Sequence, residues 1–424
     1  MTSTLLRTGR GPGGIRVAAL RLPGRASAAL AAGVPFGARD DPTGQEGMAH
    51  LLEHVLFRGG PDGSAEDSAR ALARAGAETN ATTGHDDLRL NALVLPDGIP
   101  ETARILGGIL HAARLADADI EHERRVVLQE LAEHPDEGGV GALLDVACWG
   151  AHPLARPVAG TAQSLTRIRP ASLRHAARNH LGPATSCAVA VGDAEPDAML
   201  RALIEGFGGA SRARAPQRRA PRFQGGLKWQ ETDEDDPVAD VALAYPAPAA
   251  GDPGTDAAHL AAALLGGGPT STLFLALRER HGIVYGVEAR LEQGKDWGRL
   301  CIDLRLPADR LDDGLALLSR SLDDPPEADR IAEIRRVEIL QTAASLDSPD
   351  GVAQTLLSDL LNGRPAQAPS ERLERLRKTP ETAVAEMLQR ILAGPPALAI
   401  LGPAPCRRTF ARTRFADLAC RLPR

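Results

Sequence analysis

The clearest periodic segment of the chain runs from Met48 to Leu56, where Met48, Leu51, Leu52, Val55 and Leu56 recur at helical spacing and form one apolar stripe. Thr43 followed by Glu46 has the spacing of a capping box ahead of it, and Gly59-Gly60 supplies the stop. The pattern predicts a buried helix. Three polar residues interrupt it: His50, Glu53 and His54. Positions i, i+3 and i+4 share a helical face, so both imidazoles and the carboxylate point into one volume. Two satisfied core histidines would read the same way. A second helical pattern covers His122 to Glu133, within which Glu123 and Glu130 lie seven apart, two turns, on nearly one side. Its plain reading is a solvated acidic face.

The pattern also repeats. Ala49 to Leu56 lines up with Ala258 to Leu265 at an offset of 209, and the apolar strand Cys187 to Gly192 lines up with Ala397 to Gly402 at an offset of 210. Self-similarity at one separation predicts a duplicated module. The second copy keeps His259 but has Ala262 and Ala263 where Glu and His stand in the first, so it cannot hold a metal in the same way. Between the copies, Arg212, Arg214, Arg218, Arg219 and Arg222 with Pro216 and Pro221 have the composition of a solvated linker. The expected domains are 1–211, carrying the polar trio, and 227–424, joined by 212–226.

Two His four apart on a helix with Glu between them form the inverted zinc motif His-x-x-Glu-His. Zinc in hydrolases usually takes three protein ligands and keeps one position open, so a third donor must come from elsewhere. The acidic segment offers Glu123, Glu130 and Glu133.

Here the chain resembles the pitrilysin family, the inverted-motif zinc peptidases that include insulysin and the mitochondrial processing peptidase. The flanks Gly47-Met48-Ala49-His50 and Phe57-Arg58-Gly59-Gly60, the stretch Asn80-Ala81-Thr82-Thr83, and His152-Pro153 through Arg156-Pro157-Val158 to Gly160-Thr161 follow that family's order. In the family the third ligand is a Glu about 76 residues beyond the second His, and Glu130 stands 76 residues after His54. The resemblance thus implies one Zn2+ per chain on His50, His54 and Glu130. It makes Glu53 the general base and Glu123 the carboxylate beside a ligating His. It implies an α+β fold of two homologous domains, each a mostly antiparallel sheet with helices packed on one face, together one half of a clamshell. It further implies that Asn80 and Ala81 lie on a substrate-binding edge strand. Arg278 and Tyr285, seven apart around Gly282, match the family's Arg/Tyr pair, with Arg278 expected on a last helical turn and Tyr285 on the next strand. Both can donate hydrogen bonds to carbonyl oxygens.

Composition sets the bounds. A chain of 424 residues exceeds one ordinary core, its 43% apolar content supports globular folding, and with 3% aromatics the cores must rest on Ala, Leu and Val. A net charge of −6 gives no reason to expect nucleic acid or an anionic membrane as a partner. Cys148, Cys187, Cys301, Cys406 and Cys420 are widely spaced, lack a Cys-x-x-Cys pair and read as reduced spectators. Without an export-type start or a long apolar run, the chain is expected to be cytoplasmic, which leaves the Asn80-Ala81-Thr82 sequon silent. The acidic stretch from Glu231 to Asp240 reads as a solvated turn. The expected function is a metalloendopeptidase acting on short or unfolded peptides. A homodimer would complete two sites, and a heterodimer with a zinc-less paralogue is the alternative assembly. Alternative functions are a catalytically idle assembly subunit and a metal hydrolase of another substrate class.

Overall fold

Strands β3 (Ala28–Val34) and β6 (Cys187–Gly192) are buried at every position, which requires cover on both faces of the sheet that holds them. In the computed structural model, which describes residues 5–61, 63–133, 139–231, 237–324, 328–405 and 410–421, that sheet also contains β1 (Leu6–Arg10), β2 (Arg16–Arg21), β4 (Ala77–Thr83) and β5 (Leu88–Val94). Its order is β1-β2-β6-β3-β5-β4. A second sheet, of β7 (Gly226–Gln230), β8 (Val238–Pro246), β9 (Val287–Gln293), β10 (Gly298–Pro307) and β11 (Ala397–Leu401), has the order β7-β11-β8-β10-β9. One pair in each is parallel, β2 with β6 and β7 with β11, and the other pairings are antiparallel. With β1 set aside, the two orders coincide strand for strand. The similarity between the two halves is therefore a duplication of topology, and the fold is α+β.

In the first sheet one face packs on helices Met48–Leu56, Ile99–Ala112 and Pro196–Phe207, while helix Pro349–Leu361 lies against β3 and β6. In the second, helices Thr255–Gly266, Leu311–Asp323 and Glu381–Leu392 build the main core. Its other face receives Leu144, Ala147, Cys148 and Trp149 of helix Gly139–Trp149 against Ala242, Ala244, Ala397 and Ala399. These two covering helices begin 210 residues apart, so they are counterparts, and each serves the sheet of the other half. The compact units are accordingly discontinuous: Met1–Glu137, Arg156–Arg219 and Ala343–Arg372 form one, and Gly138–Ala155, Ala220–Thr342 and Leu373–Arg424 the other. One boundary between the units, Arg219/Ala220, falls within 212–226, and the others set off the exchanged helices and the segments beside them. The main helix layer lies on one face of each sheet, as the resemblance implied, and one further helix covers the inner strands on the other. The physical reason is the alanine content of the strands: small residues leave room on both faces, and each buried Val or Leu brought by a covering helix contributes roughly 1.5–3 kcal/mol.

Residues 208–225 form no helix or strand. Part of this segment is docked: the Arg218 guanidinium bonds the carboxylates of Asp40 (2.6 Å) and Asp86 (3.1 Å) and the Pro35 carbonyl (3.1 Å). Cys148, Cys187 and Cys301 are buried and free, and burial pushes the first two thiols up to about 12 and about 11. Cys406 and residues 232–236 of the acidic stretch lie outside the described residues. Among the described residues no helix is long and apolar enough to cross a membrane.

Candidate metal centre

The helix bearing the pentad, Met48–Leu56, buries Met48, Ala49, Leu51, Leu52, Val55 and Leu56 and leaves His50, Glu53 and His54 half-buried on one side. It is not started by the Thr43/Glu46 capping box. Gly47 precedes it in the left-handed region (φ +89°), where a Cβ would come within 2.5 Å of the Ala159 carbonyl oxygen, so only glycine fits. The cap is Asp41, six residues before Gly47. Its buried carboxylate accepts the N–H groups of Gly47 (2.7 Å), Met48 (3.0 Å) and Ala49 (2.9 Å), three donors that the first turn of a helix leaves without an internal partner. Burial pushes the Asp41 carboxyl up to about 7, against the pull of those donors. Thr43 and Glu46 serve elsewhere: Arg156 donates to the Thr43 hydroxyl (3.0 Å) and the Asp41 carbonyl (2.8 Å), and Glu46 accepts the Gly44 N–H (2.9 Å).

The acidic helix, Asp117–Glu133, packs against the pentad helix. Buried Arg124 ties it down by donating to the carbonyls of Leu165 and Ile168 (2.7 Å). Two turns of this helix then face the histidines. Glu123 Oε2 lies 3.3 Å from His54 Nδ1, and Glu130 Oε2 lies 3.6 Å from His54 Nε2. A carboxylate accepts, so the shorter contact, with Glu123, favours the tautomer with the hydrogen on Nδ1 and leaves Nε2, on the Glu130 side, as the ligand atom. One ligand atom each from His50, His54 and Glu130 lies within 4.8 Å of the others.

These residues fit a divalent metal. Glu130 Oε2 is buried with no hydrogen-bond partner among the described residues, a costly arrangement for a carboxylate oxygen unless something positive is to be held there. Its separation from Nε2 is too long for a hydrogen bond yet close to the roughly 3.3 Å between donors that tetrahedral zinc geometry requires. The two rings meet edge to face, 4.8 Å between centroids at 82°, so their nitrogens converge without stacking. Glu133 is exposed at the end of its helix, outside this cluster.

Glu53 is not among the converging donors. Its Oε2 accepts a 2.6 Å hydrogen bond from the Thr83 hydroxyl at the end of β4. Along β4 burial alternates: Ala77, Thr79, Ala81 and Thr83 share the half-buried face, and Asn80 stands on the exposed one. Asn80 and Ala81 thus lie on an edge strand that, among the described residues, pairs only with β5, and the Asn80 side chain points away from the face that meets Glu53. Arg278 and Tyr285 belong to the other compact unit. Arg278 sits in a seven-residue π-helix, Phe274–Arg280, with its guanidinium 4.9 Å from the Phe274 ring centroid and 5.0 Å from that of Tyr285. Tyr285 is not on a strand. It lies in a bend two residues before β9, because Gly282 (φ +57°) turns the chain and leaves Tyr285 86% exposed. Sequence reasoning missed Asp41 and Thr83. The one available signal for Thr83 was the period-two alternation that places it beside Ala81.

Comparison with known proteins agrees with this geometry. Residues 16–162 match the model of insulinase (peptidase family M16), and residues 167–324 match that of the peptidase M16 inactive domain. An uncharacterised zinc protease of Mycobacterium tuberculosis is 32% identical over 297 residues, covering 69% of this chain and 68% of its own. Another from Streptomyces coelicolor is 27% identical over 411 residues, covering 92% and 88%. Among solved structures, a protease from Helicobacter pylori superposes with a TM-score of 0.85 at 17% identity, over 95% of this chain and all of that one. A peptidase M16 inactive domain from Pseudomonas fluorescens gives 0.82 at 17% identity, over 94% and 98%. Two matched models that together span most of the sequence, and a zinc protease relative at 32% identity, place this chain in the insulinase family, peptidase family M16.

Proposed function

We propose that this chain is a zinc-dependent endopeptidase that hydrolyses peptide bonds in short or unfolded peptides, precursor or leader segments among them. The observation that carries the reading is the convergence of His50, His54 and Glu130 within 4.8 Å beside the Glu53 carboxylate. His50, His54 and Glu130 would hold the ion, which when bound supplies Lewis acidity, acidifying water toward a pKa of ~7 and polarising a carbonyl. Glu53 takes the proton of the attacking water and hands it to the leaving amine. Glu123 accepts the Nδ1–H of His54 and keeps Nε2 turned to its neighbours. The open edge of β4 gives an extended peptide a backbone ladder at Asn80 and Ala81, a mode that binds with little regard to side chains. Arg278 and Tyr285 donate to carbonyl oxygens of the peptide. In a homodimer this pair from one copy would serve the zinc centre of the other. Light scattering tests that assembly, and a fully active monomer removes it.

The decisive experiment combines metal analysis with mass spectrometry of a mixed peptide library incubated with wild type and with Glu53→Gln. Zinc in both proteins and cleavage by wild type alone support the proposal. Metal-free, inactive protein favours the idle assembly subunit, and zinc without cleavage favours a metal hydrolase of another substrate class.

A further inference from the structure

We propose that Thr83 is a positioning residue for the Glu53 carboxylate, holding it by a hydrogen bond across the gap between strand and helix. The inference rests on the reading of Glu53 as general base. A glutamate has three rotatable bonds before its carboxylate, and a free one spends most of its time aimed elsewhere. Here the Thr83 hydroxyl lies 2.6 Å from Glu53 Oε2, the short distance of a charge-assisted O–H···O bond. The direction is unambiguous, since a carboxylate only accepts. That bond fixes the plane of the carboxylate and leaves Oε1, which takes no bond from Thr83, for the proton of the attacking water.

Thr83 is itself held. It ends β4 opposite Leu88, and the turn that follows is closed by Gly84 N–H to the Asp87 carbonyl (2.8 Å). The chain just before the pentad helix grips that turn. Ala38 N–H and Arg39 N–H donate to the carbonyls of Gly84 and His85 (both 3.0 Å), and Arg39, only 5% exposed, bonds the Asp86 carboxylate (2.8 Å). Two residues further along, Asp41 caps the pentad helix. One short segment, 38–41, therefore fixes both partners of the Thr83–Glu53 bond, and a hydroxyl on so firmly held an element suits orienting a reactive group. β4 is also the edge on which a peptide would pair, so substrate binding would stiffen the strand that aims the base.

The test compares Thr83→Val, which keeps the shape and removes the donor, with Thr83→Ser, which keeps the donor, in zinc-loaded protein with a fluorogenic peptide. The valine variant should lose roughly 10–100-fold in kcat, with KM, zinc affinity and melting temperature unchanged, and the serine variant should recover most of the rate. In a Glu53→Gln background, Thr83→Val should cost nothing more. Wild-type kcat in the valine variant, a serine variant as slow as valine, or a fall in zinc affinity matching the fall in rate would each overturn the assignment. Retention of full turnover by Glu53→Gln alone would remove the general base, and Thr83 with it. If Glu53→Gln is inactive and only the Thr83 results fail, the base stands without its positioning partner.

Discussion

Removing the Glu123 carboxylate should weaken zinc binding without unfolding the protein, by an amount that the contacts of His54 allow to be worked out. Glu123 is 7% exposed, lies 3.3 Å from His54 Nδ1 and places its other oxygen 3.4 Å from Arg58 Nε. In Glu123→Gln the amide carbonyl can still accept the Nδ1–H, so the tautomer survives and only the charge is lost. A hydrogen bond to a charged group is worth about 1.5–3 kcal/mol and a neutral one about 0.5–1.5 kcal/mol, so the difference is about 1–1.5 kcal/mol, close to tenfold in affinity. Glu123→Ala also frees the ring to rotate or change tautomer, and the loss should approach 100-fold. Both dissociation constants can be read by titrating metal-free protein against a chromophoric chelator at pH 7.5, with circular dichroism to verify the fold. The graded order wild type, Gln, Ala is the expected result. An alanine variant that binds zinc within twofold of wild type would refute the role given to Glu123.

Three further outcomes are expected. Glu130→Ala takes away one of three converging donors, so dialysed protein should carry well under one zinc per chain and lose turnover with its circular dichroism intact; a full complement of tightly held zinc would contradict the ligand assignment. Asp41→Ala leaves three buried N–H groups without a partner, at about 1–3 kcal/mol for each donor left unsatisfied, and should lower urea stability by about 3 kcal/mol or more, whereas Asp41→Asn keeps one acceptor oxygen for Gly47 and Met48, turns an NH2 toward the Ala49 N–H and should lose an intermediate amount, about 1–3 kcal/mol; an alanine variant as stable as wild type would remove the cap. Burial alone lowers the His111 imidazole to about 4 from 6.5, so through this group the unfolded chain binds the extra proton between those values and the stability it contributes falls as pH drops through that window, opposite in sign to Asp41, whose carboxyl is raised to about 7. The shift corresponds to about 3 kcal/mol. Urea melts with chelator present, so that release of metal does not enter, should show this loss in the difference between wild type and His111→Gln, where the Asp41 contribution cancels; parallel curves would exclude it.

The parts of the site that were legible from residue types are those whose partners lie close in sequence. His50, Glu53 and His54 could be placed on one face because a helix sets their spacing locally, and Glu123 and Glu130 could be paired by the same rule. What joins the two helices spans 69 residues and is invisible to periodicity; only the resemblance suggested it. The cap was misread because Thr43 and Glu46 satisfy a local spacing rule, yet Gly47 must sit in the left-handed region against Ala159, which re-aims the chain so that Asp41 is the acceptor in reach. The exchange of helices Gly139–Trp149 and Pro349–Leu361 was illegible for a different reason. An apolar stripe such as Leu144, Ala147 and Cys148 says that a face is buried but not against which sheet, and two sheets of matching order offer near-equivalent surfaces.

In the second unit the histidine at the position equivalent to His50 has a structural partner in place of a metal. His259 Nε2 lies 2.6 Å from Glu338 Oε1, joining helix Thr255–Gly266 to helix Ala328–Ser345, while Ala262 and Ala263 sit in the hydrophobic core. In the first unit the corresponding helix is bound to the acidic helix through His54, Glu123 and Glu130. In the second, the direct His259–Glu338 hydrogen bond links the two helices. Glu338 is 9% exposed, and a carboxylate that buried would cost about 1–3 kcal/mol or more if its partner were removed. At 262 and 263, where the first unit has Glu53 and His54, small apolar side chains fill the space. Removing His259 would leave the buried Glu338 carboxylate without this partner, so the imidazole serves as half of a structural pair.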